Sequence, residues 1–491
     1  MRELRRGMSG PAVNGRAASP ATVRAEPALD RWTGLVADGA RVWTGHQPYL
    51  WHPGILAKYI AGDAIPSTDG VVDLVVDHDT HDAGVIELPT RVGKRWGVRR
   101  LRLGPCRADV PLGMQPAMGA DGAIAALRGA ADDAEAAGAR VARLIEAFDA
   151  VGRGHATLAD QMAAVLAWLR TRWVVGPVDA VRSTTLGRDG VLGGWVERMA
   201  SDAERCVAAY NAAVRAEVAA GGGGGVRELR VEPWRVELPL WRVGWMRPRQ
   251  GVWADIADSR AVLTLEDGTP LHAPDEPAAG VAGLAPRALL MTAIVRSRDD
   301  CGLFVHGTGG GVYDRITDRW WSDWLGGRAP RLAPTAVVTA DLRLASEGLS
   351  VATPADVRRG LWRLHHASHN IDRALELSAD EPAVREKRIA LGRLHGPGVW
   401  GEGRRVEGAA QRRAAWAALK RANARLAADH PEALAAAEAA YRSARVGVEN
   451  AAAAAKRDWS IGVMPAASLE ALSSMIRERV GATPSIGSHT A

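Results

Sequence analysis

From residue 31 to about 105, apolar and polar positions fall into short β-branched runs, polar loops and one helix-like stretch. Val42 and Trp43 close a strand-like run that ends in a Gly-containing turn, and a helix-like segment opens at Pro53-Gly54. Val71–Val76 is the next strand-like run. Short strand, loop, helix and short strand in this order predict an α/β protein with a doubly wound sheet. Such sheets hold ligands at the carboxyl ends of their strands. The loops that follow Trp43 and Val76 are therefore where chemistry is expected.

Residues from about 120 to 220 are Ala-rich and read as a helical insertion, with helices over Ala139–Val151 and Val196–Val218. Between them lie a strand-like Arg172–Val175 and the polar turn Arg182-Ser183-Thr184-Thr185. The five glycines Gly221–Gly225 read as a flexible loop. Val226–Trp245 alternates apolar and polar residues, and Pro233 and Pro239, which lack an N–H, place it at a sheet edge or in a hairpin. A second strand–loop–helix unit follows: helix-like Pro286–Arg296, strand-like Gly302–Val305, the turn His306–Gly311 and a helix over Val312–Leu325. Thr335–Ala340 supplies another β-branched strand.

Beyond Pro354 the pattern is helical only. Val357, Leu361, Leu364, Ser368, Ile371 and Leu375 keep alternating steps of four and three, as do Trp416, Leu419, Asn423 and Leu426. Pro431 breaks the run where a helix start tolerates its missing N–H. Leu434, Tyr441 and Val448 then fall seven apart. The expected organisation is a disordered tail over 1–30, a core over 31–350, an antiparallel helical coiled coil over 351–470 and a C-terminal tail over 471–491. The apolar stripes of the helices predict a homodimer.

The formal charge of +6 on 491 residues is mild and spread along the chain, so nucleic-acid binding is not indicated. Cys106, Cys206 and Cys301 are odd in number and far apart. That argues against a disulfide framework or structural zinc and fits a reducing, cytoplasmic setting. There is no apolar run of membrane-spanning length, and the N-terminus lacks the apolar segment of a secretory signal.

Two clusters carry candidate chemistry. His46 and His52 flank an aromatic-rich turn just before a helix start, where backbone N–H groups attract anions. Asp77, His78, Asp79, His81 and Asp82 crowd the end of the next strand, as groups that bind a substrate amine, act as a general base or ligate a metal. Substrate binding with acid/base work is the favoured assignment, without a dedicated metal site. A third stretch, His306-Gly307-Thr308-Gly309-Gly310-Gly311, lets backbone amides approach a ligand closely. Tyr313 lies in the first turn of the helix that follows.

In their order and spacing these segments resemble the bacillithiol-synthesis cysteine-adding enzyme family (BshC, a cysteine ligase). Thr44, Gly45, Gln47, Pro53 and Lys58 keep the spacing of its first motif, and Asp77, His78, Asp79 and Asp82 that of its second. The turn at His306–Gly311 with Tyr313 is similar to its Gly-rich region in a divergent form. Here His46 stands where the family has Gln, and His52 is additional. The resemblance implies a Rossmann-like core followed by a coiled coil, and addition of cysteine to the amine of a glucosaminyl-malate-like amino sugar with activation by ATP. Lys58 and His46 would contact the activated carboxyl or phosphate. Asp77 and Asp79 would hold substrate ammonium groups, with His78 as general base. Thr44, Gly45, Gln47, His52, Asp82, His306, Gly307, Gly309, Gly310 and Tyr313 would line the substrate and nucleotide. The first motif is also similar to that of the WbqC-like family. Two other readings stand beside it: a non-catalytic dimeric scaffold, and a metal-dependent hydrolase using His46, His78 and His81.

Overall fold

The computed structural model describes residues 21–66, 68–132, 138–186, 190–222, 225–256, 262–271, 283–344, 351–395 and 405–481. The predicted tails up to residue 20 and from residue 482, and two of the five consecutive glycines, lie outside them. The chain is mixed α/β with a largely parallel sheet. It divides into two compact units. One contains residues 21–90, 98–344 and 456–481, the other residues 91–97 and 351–455. Among the described residues no helix is long and apolar enough to cross a membrane.

Strands appear in chain order as β1 (Thr22–Glu26), β2 (Arg41–His46), β3 (Val71–Val75), the hairpin β4 (Val85–Val92) and β5 (Arg95–Arg102), and β6 (Val178–Arg182). They continue as β7 (Val231–Glu232), β8 (Arg235–Gly244), β9 (Arg247–Asp255), β10 (Leu263–Leu265), β11 (Leu284–Pro286), β12 (Cys301–His306) and β13 (Thr335–Asp341). The main sheet of the first unit has the order β1-β13-β12-β2-β3-β6. Every pair in it is parallel except the edge pair β1–β13.

Alternation along the central strands feeds two apolar layers. Val42, Val71, Leu303 and Val305 join the cluster built around the helix Pro53–Asp63. Trp43, Val72, Leu74 and Phe304 join Met291 and Val295 of the helix Ala288–Arg296 in another. Both faces of the sheet are thus covered, which explains why β3 is apolar at every position but Asp73 rather than alternating. The Pro53 helix is buried from Pro53 to Gly62, as a helix apolar on every side must be. The C-terminal helix Ala466–Gly481 packs on it and buries Leu469, Leu472, Ile476 and Val480.

Several expectations need correction. β1 and a 3-10 turn at Leu29–Gly34 occupy part of the expected N-terminal tail, and a helix occupies 471–481. Arg172–Val175 is not a strand; the strand is β6, whose register with β3 fixes it. The helix expected over Val196–Val218 breaks at Asp202, whose backbone leaves the helical region and whose carboxylate accepts the Trp324 indole N–H at 3.1 Å. β8, with Pro239 inside it, forms the expected hairpin with β9, but it is not an edge strand, since it lies between β9 and β11. The proline falls where the β8–β9 register slips, between Glu237 and Trp241. Irregularities of this kind accommodate a residue with no N–H.

In the second unit the helix Pro354–His369 packs on Pro431–Ala455, and Pro382–His395 on Arg405–Asp429. Asn450, fully buried, accepts the N–H of Trp96 at 2.7 Å and donates to Lys94 O at 3.0 Å, fixing the hairpin tip. The buried stripe of the Arg405 helix is Ala415, Leu419, Ala422 and Leu426, whereas Trp416 is 55% exposed. The expected seam is therefore displaced by one position at Trp416 and Asn423. The helix turns small alanines inward rather than its largest side chain.

Candidate active site

The chain leaves β2 for β3 and β6 on one side and later returns to β12 and β13 on the other. Strand order therefore reverses between β2 and β12. That is the topological switch point at which open α/β sheets bind ligands. His46 ends β2 and His306 ends β12.

Three residues of the first motif build the frame of this edge. Thr44 is fully buried, and its hydroxyl donates to Val305 O at 2.8 Å, tying β2 to β12. A Cβ at Gly45 would lie 2.7 Å from Leu74 O, so only glycine permits β3 to come this close. Lys58, 2% exposed, donates from Nζ to Gly45 O at 2.6 Å. Burial pushes its ammonium down to about 8, with Asp73 opposing the shift. Lys58 therefore binds the helix to the end of β2, which corrects the carboxyl or phosphate contact expected of it from sequence.

The loop after β2 is held by Trp51, whose ring stacks on Tyr59 and whose N–H donates to Gln47 O at 3.1 Å. This presents Gln47 to the end of β3, where its Nε2 donates to Asp79 Oδ2 at 2.7 Å. The other oxygen of Asp79 accepts Thr80 N–H at 2.9 Å and Arg249 Nη1 at 2.7 Å. Burial alone would raise this carboxyl. The Gln47 hydrogen bond, Arg249 and the Thr80 N–H outweigh burial and hold it below the ordinary value. Arg249 comes from β9 of the antiparallel sheet, its guanidinium over the Trp241 ring. Asp79 and Arg249 are both partly exposed, at 27% and 26%.

Asp77 and His78 behave differently. Asp77 is 2% exposed, and its carboxylate accepts the Ser183 hydroxyl at 2.7 Å, the Thr184 N–H at 2.9 Å and the Thr184 hydroxyl. Buried with those donors in place, unlike the partly exposed Asp79, it is a support for the turn after β6 rather than an ammonium ligand, which corrects the role expected of it. His78, also buried, places Nδ1 2.6 Å from Ser183 Oγ. Burial lowers its pKa below the ordinary imidazole value, with Asp77 and Asp79 pulling the other way. Among the described residues it has no second hydrogen-bond partner.

Two further histidines are kept neutral. His46 sits edge-on to Tyr49, with Nδ1 3.3 Å from Gln47 O. Burial, then Lys58, holds its pKa well below the ordinary value. His52 caps the Pro53 helix, its Nδ1 accepting Gly54 N–H at 3.1 Å. Burial takes its pKa down to about 4. A histidine whose folded pKa is depressed stays neutral while the unfolded chain takes up a proton. Stability is then lost as pH falls from about 6.5 toward 4. His52→Asn retains a capping oxygen but does not titrate there. Urea unfolding at about pH 7 and about pH 5 is expected to show a smaller loss for this variant than for the wild type. Equal losses would contradict the cap assignment.

The Gly-rich turn contributes less than its sequence promised. Helix starts at Gly310, two residues earlier than expected, and its first turn has no side-chain cap. A Cβ at Gly310 would collide with the His306 ring at 2.2 Å, whereas at Gly307 and Gly309 it would meet open space. His306 turns back toward buried Asp314, with Nε2 3.0 Å from Oδ1 but not aligned as a hydrogen bond. Tyr313 is within electrostatic reach of Asp79: burial and then the Asp79 charge raise its phenol above the ordinary value. The helix that presents it is anchored by buried Trp320, Trp321 and Trp324, each worth roughly 1.5–3 kcal/mol of apolar burial.

Asp82 is engaged elsewhere, bidentate to Arg102 with both contacts at 2.8 Å. His81 is exposed, with its ring tilted against that of Tyr49 at 4.3 Å between centroids. Among the described residues no three of His, Cys, Asp and Glu gather at metal-ligand spacing. Sequence reasoning missed Arg249, because nothing local marks an arginine of one sheet as the partner of a carboxylate in another. It named Ser183 and Thr184 only as a turn; their hydroxyls after a strand were the available signal. No family model and no curated protein matches the chain.

Proposed function

We propose that the sheet unit is an enzyme that recognises a zwitterionic amino acid at the carboxyl edge of its parallel sheet. Following the resemblance to the bacillithiol-synthesis cysteine-adding family, we take that amino acid to be cysteine and its acceptor to be the amine of an amino sugar. The observation that carries the reading is the partly exposed Arg249–Asp79 pair beside the switch point. A carboxylate offers about four acceptor positions, and three donors occupy Asp79. A position is left for an α-ammonium. Arg249 uses one N–H on Asp79 and retains others for an α-carboxylate, with the fork geometry that suits one.

On this reading the sheet is Rossmann-like, with parallel strands, two covered faces and a ligand at its switch point. ATP passes its terminal phosphoryl group to the cysteine carboxylate, giving an acyl phosphate and ADP. The acceptor amine attacks the carbonyl carbon, the bond from that carbon to the phosphate oxygen breaks, and phosphate leaves. The proton released by the amine goes to His78. The uncapped turn at Gly309–Gly311, with open space at Gly307 and Gly309, suits the phosphates. Lys58 and Asp77 support the site from within.

Calorimetry with cysteine tests the recognition step. The wild type is expected to bind cysteine more tightly than its methyl ester, which lacks the carboxylate charge. Arg249→Met is expected to lose about 1.5–3 kcal/mol of cysteine binding, roughly ten- to a hundredfold, and with it the preference over the ester. Equal affinity of both proteins for cysteine would overturn the Arg249 assignment, and absence of binding would overturn the amino-acid site.

A further inference from the structure

The contacts of Ser183 leave one arrangement of hydrogens. A serine hydroxyl has one hydrogen to give and two lone pairs to receive. Asp77 Oδ1 lies 2.7 Å away and, as a carboxylate, can only accept, so the hydroxyl hydrogen points there. The backbone N–H of Asp77 takes one lone pair at 3.2 Å. His78 Nδ1 reaches the remaining one at 2.6 Å, a contact that holds only if Nδ1 carries the ring hydrogen. The Thr184 N–H and hydroxyl fix the Asp77 carboxylate in turn.

Register places this chain of donors. β3 and β6 are parallel neighbours with Val75 opposite Arg182, so Asp77-His78 and Ser183-Thr184 leave the sheet side by side. Ser183 is fully buried, with its hydrogen committed to Asp77 and both lone pairs occupied. It is therefore not poised as a nucleophile, although Ser, His and Asp stand together.

We propose that Asp77 and Ser183 are positioning residues that lock His78 in the Nδ1–H tautomer, so that Nε2 is the proton acceptor of the site. The chain runs His78 Nδ1–H to Ser183 Oγ–H to Asp77. The second nitrogen is the one left for a substrate proton, and the ring is within electrostatic reach of Asp79 and Arg249. The catalytic consequence rests on the ligase reading above; the tautomer does not.

Ring-nitrogen NMR of histidine-labelled, full-length protein separates the two, with the His78 signals assigned by their loss in His78→Asn. The wild type is expected to show a protonated Nδ1 and an unprotonated Nε2 near neutral pH, and Ser183→Ala to shift the ring toward the other tautomer. In a ligation assay Ser183→Ala is expected to lower kcat while leaving the KM for cysteine unchanged. An Nε2–H tautomer in the wild type overturns the proposal, and this arm needs no variant to fold beyond the one used for assignment. The expected tautomer together with an unchanged kcat in Ser183→Ala overturns the positioning role. The expected tautomer in a protein that ligates nothing supports the lock and removes the ligase reading instead.

Discussion

Arg170→Met is expected to lower the unfolding free energy by about 3–5 kcal/mol. Asp73 sits in the middle of β3, 3% exposed, where a strand covered on both faces otherwise carries only apolar side chains. Its carboxylate is held by the Tyr59 hydroxyl at 2.6 Å and by the Arg170 guanidinium at 2.5 Å. Arg170 is itself buried and lies over the Tyr59 ring, 5.0 Å from its centroid. Removing the guanidinium leaves a buried carboxylate with one neutral donor, which is the expensive way to break such a pair. Replacing both partners with apolar residues avoids that penalty, so Asp73→Val in the Arg170→Met background is expected to recover part of the loss. Urea unfolding of the single and double variants measures both. A loss below about 1 kcal/mol, the level of an exposed ion pair, would contradict the buried geometry. The consequence reaches the site, because Asp73 and Lys58 lie on the two elements that carry the loops of β2 and β3.

The sequence located these loops because their signals are local. Val71–Val75 and Thr335–Asp341 announce themselves by β-branched runs, and Pro53 by a helix start behind a capping residue. Residue types alone could not tell which polar groups face a ligand. Asp77 and Asp79 are two positions apart and look equivalent, yet one is surrounded by hydroxyls from the turn after β6 and the other meets an arginine from β9. Lys58 reads as a free cation until its helix is seen to be buried along ten residues, Pro53 to Gly62. β1 was illegible for a related reason, because Thr22–Glu26 is a strand through its pairing with β13. The helix Ala466–Gly481 was legible: Leu469, Leu472, Ile476 and Val480 keep steps of three and four, and this stripe is what it buries.

Replacing the proposed base should have the largest effect on chemistry. His78→Asn places an amide N–H where Nδ1–H stands, so the contact to Ser183 Oγ is retained while the proton-accepting nitrogen is removed. Loss of a positioned general base lowers a rate by about a hundred- to ten-thousandfold. The retained hydrogen bond predicts a melting temperature close to that of the wild type. The most direct measurement is the formation of amide product and ADP from ATP, cysteine and glucosaminyl-malate, followed by mass spectrometry with each substrate omitted in turn. The wild type should form both products only when all three are present, and His78→Asn should be slower by that factor with the KM for cysteine unchanged. Product formation at the wild-type rate by His78→Asn, or no product from the wild type, would contradict the account.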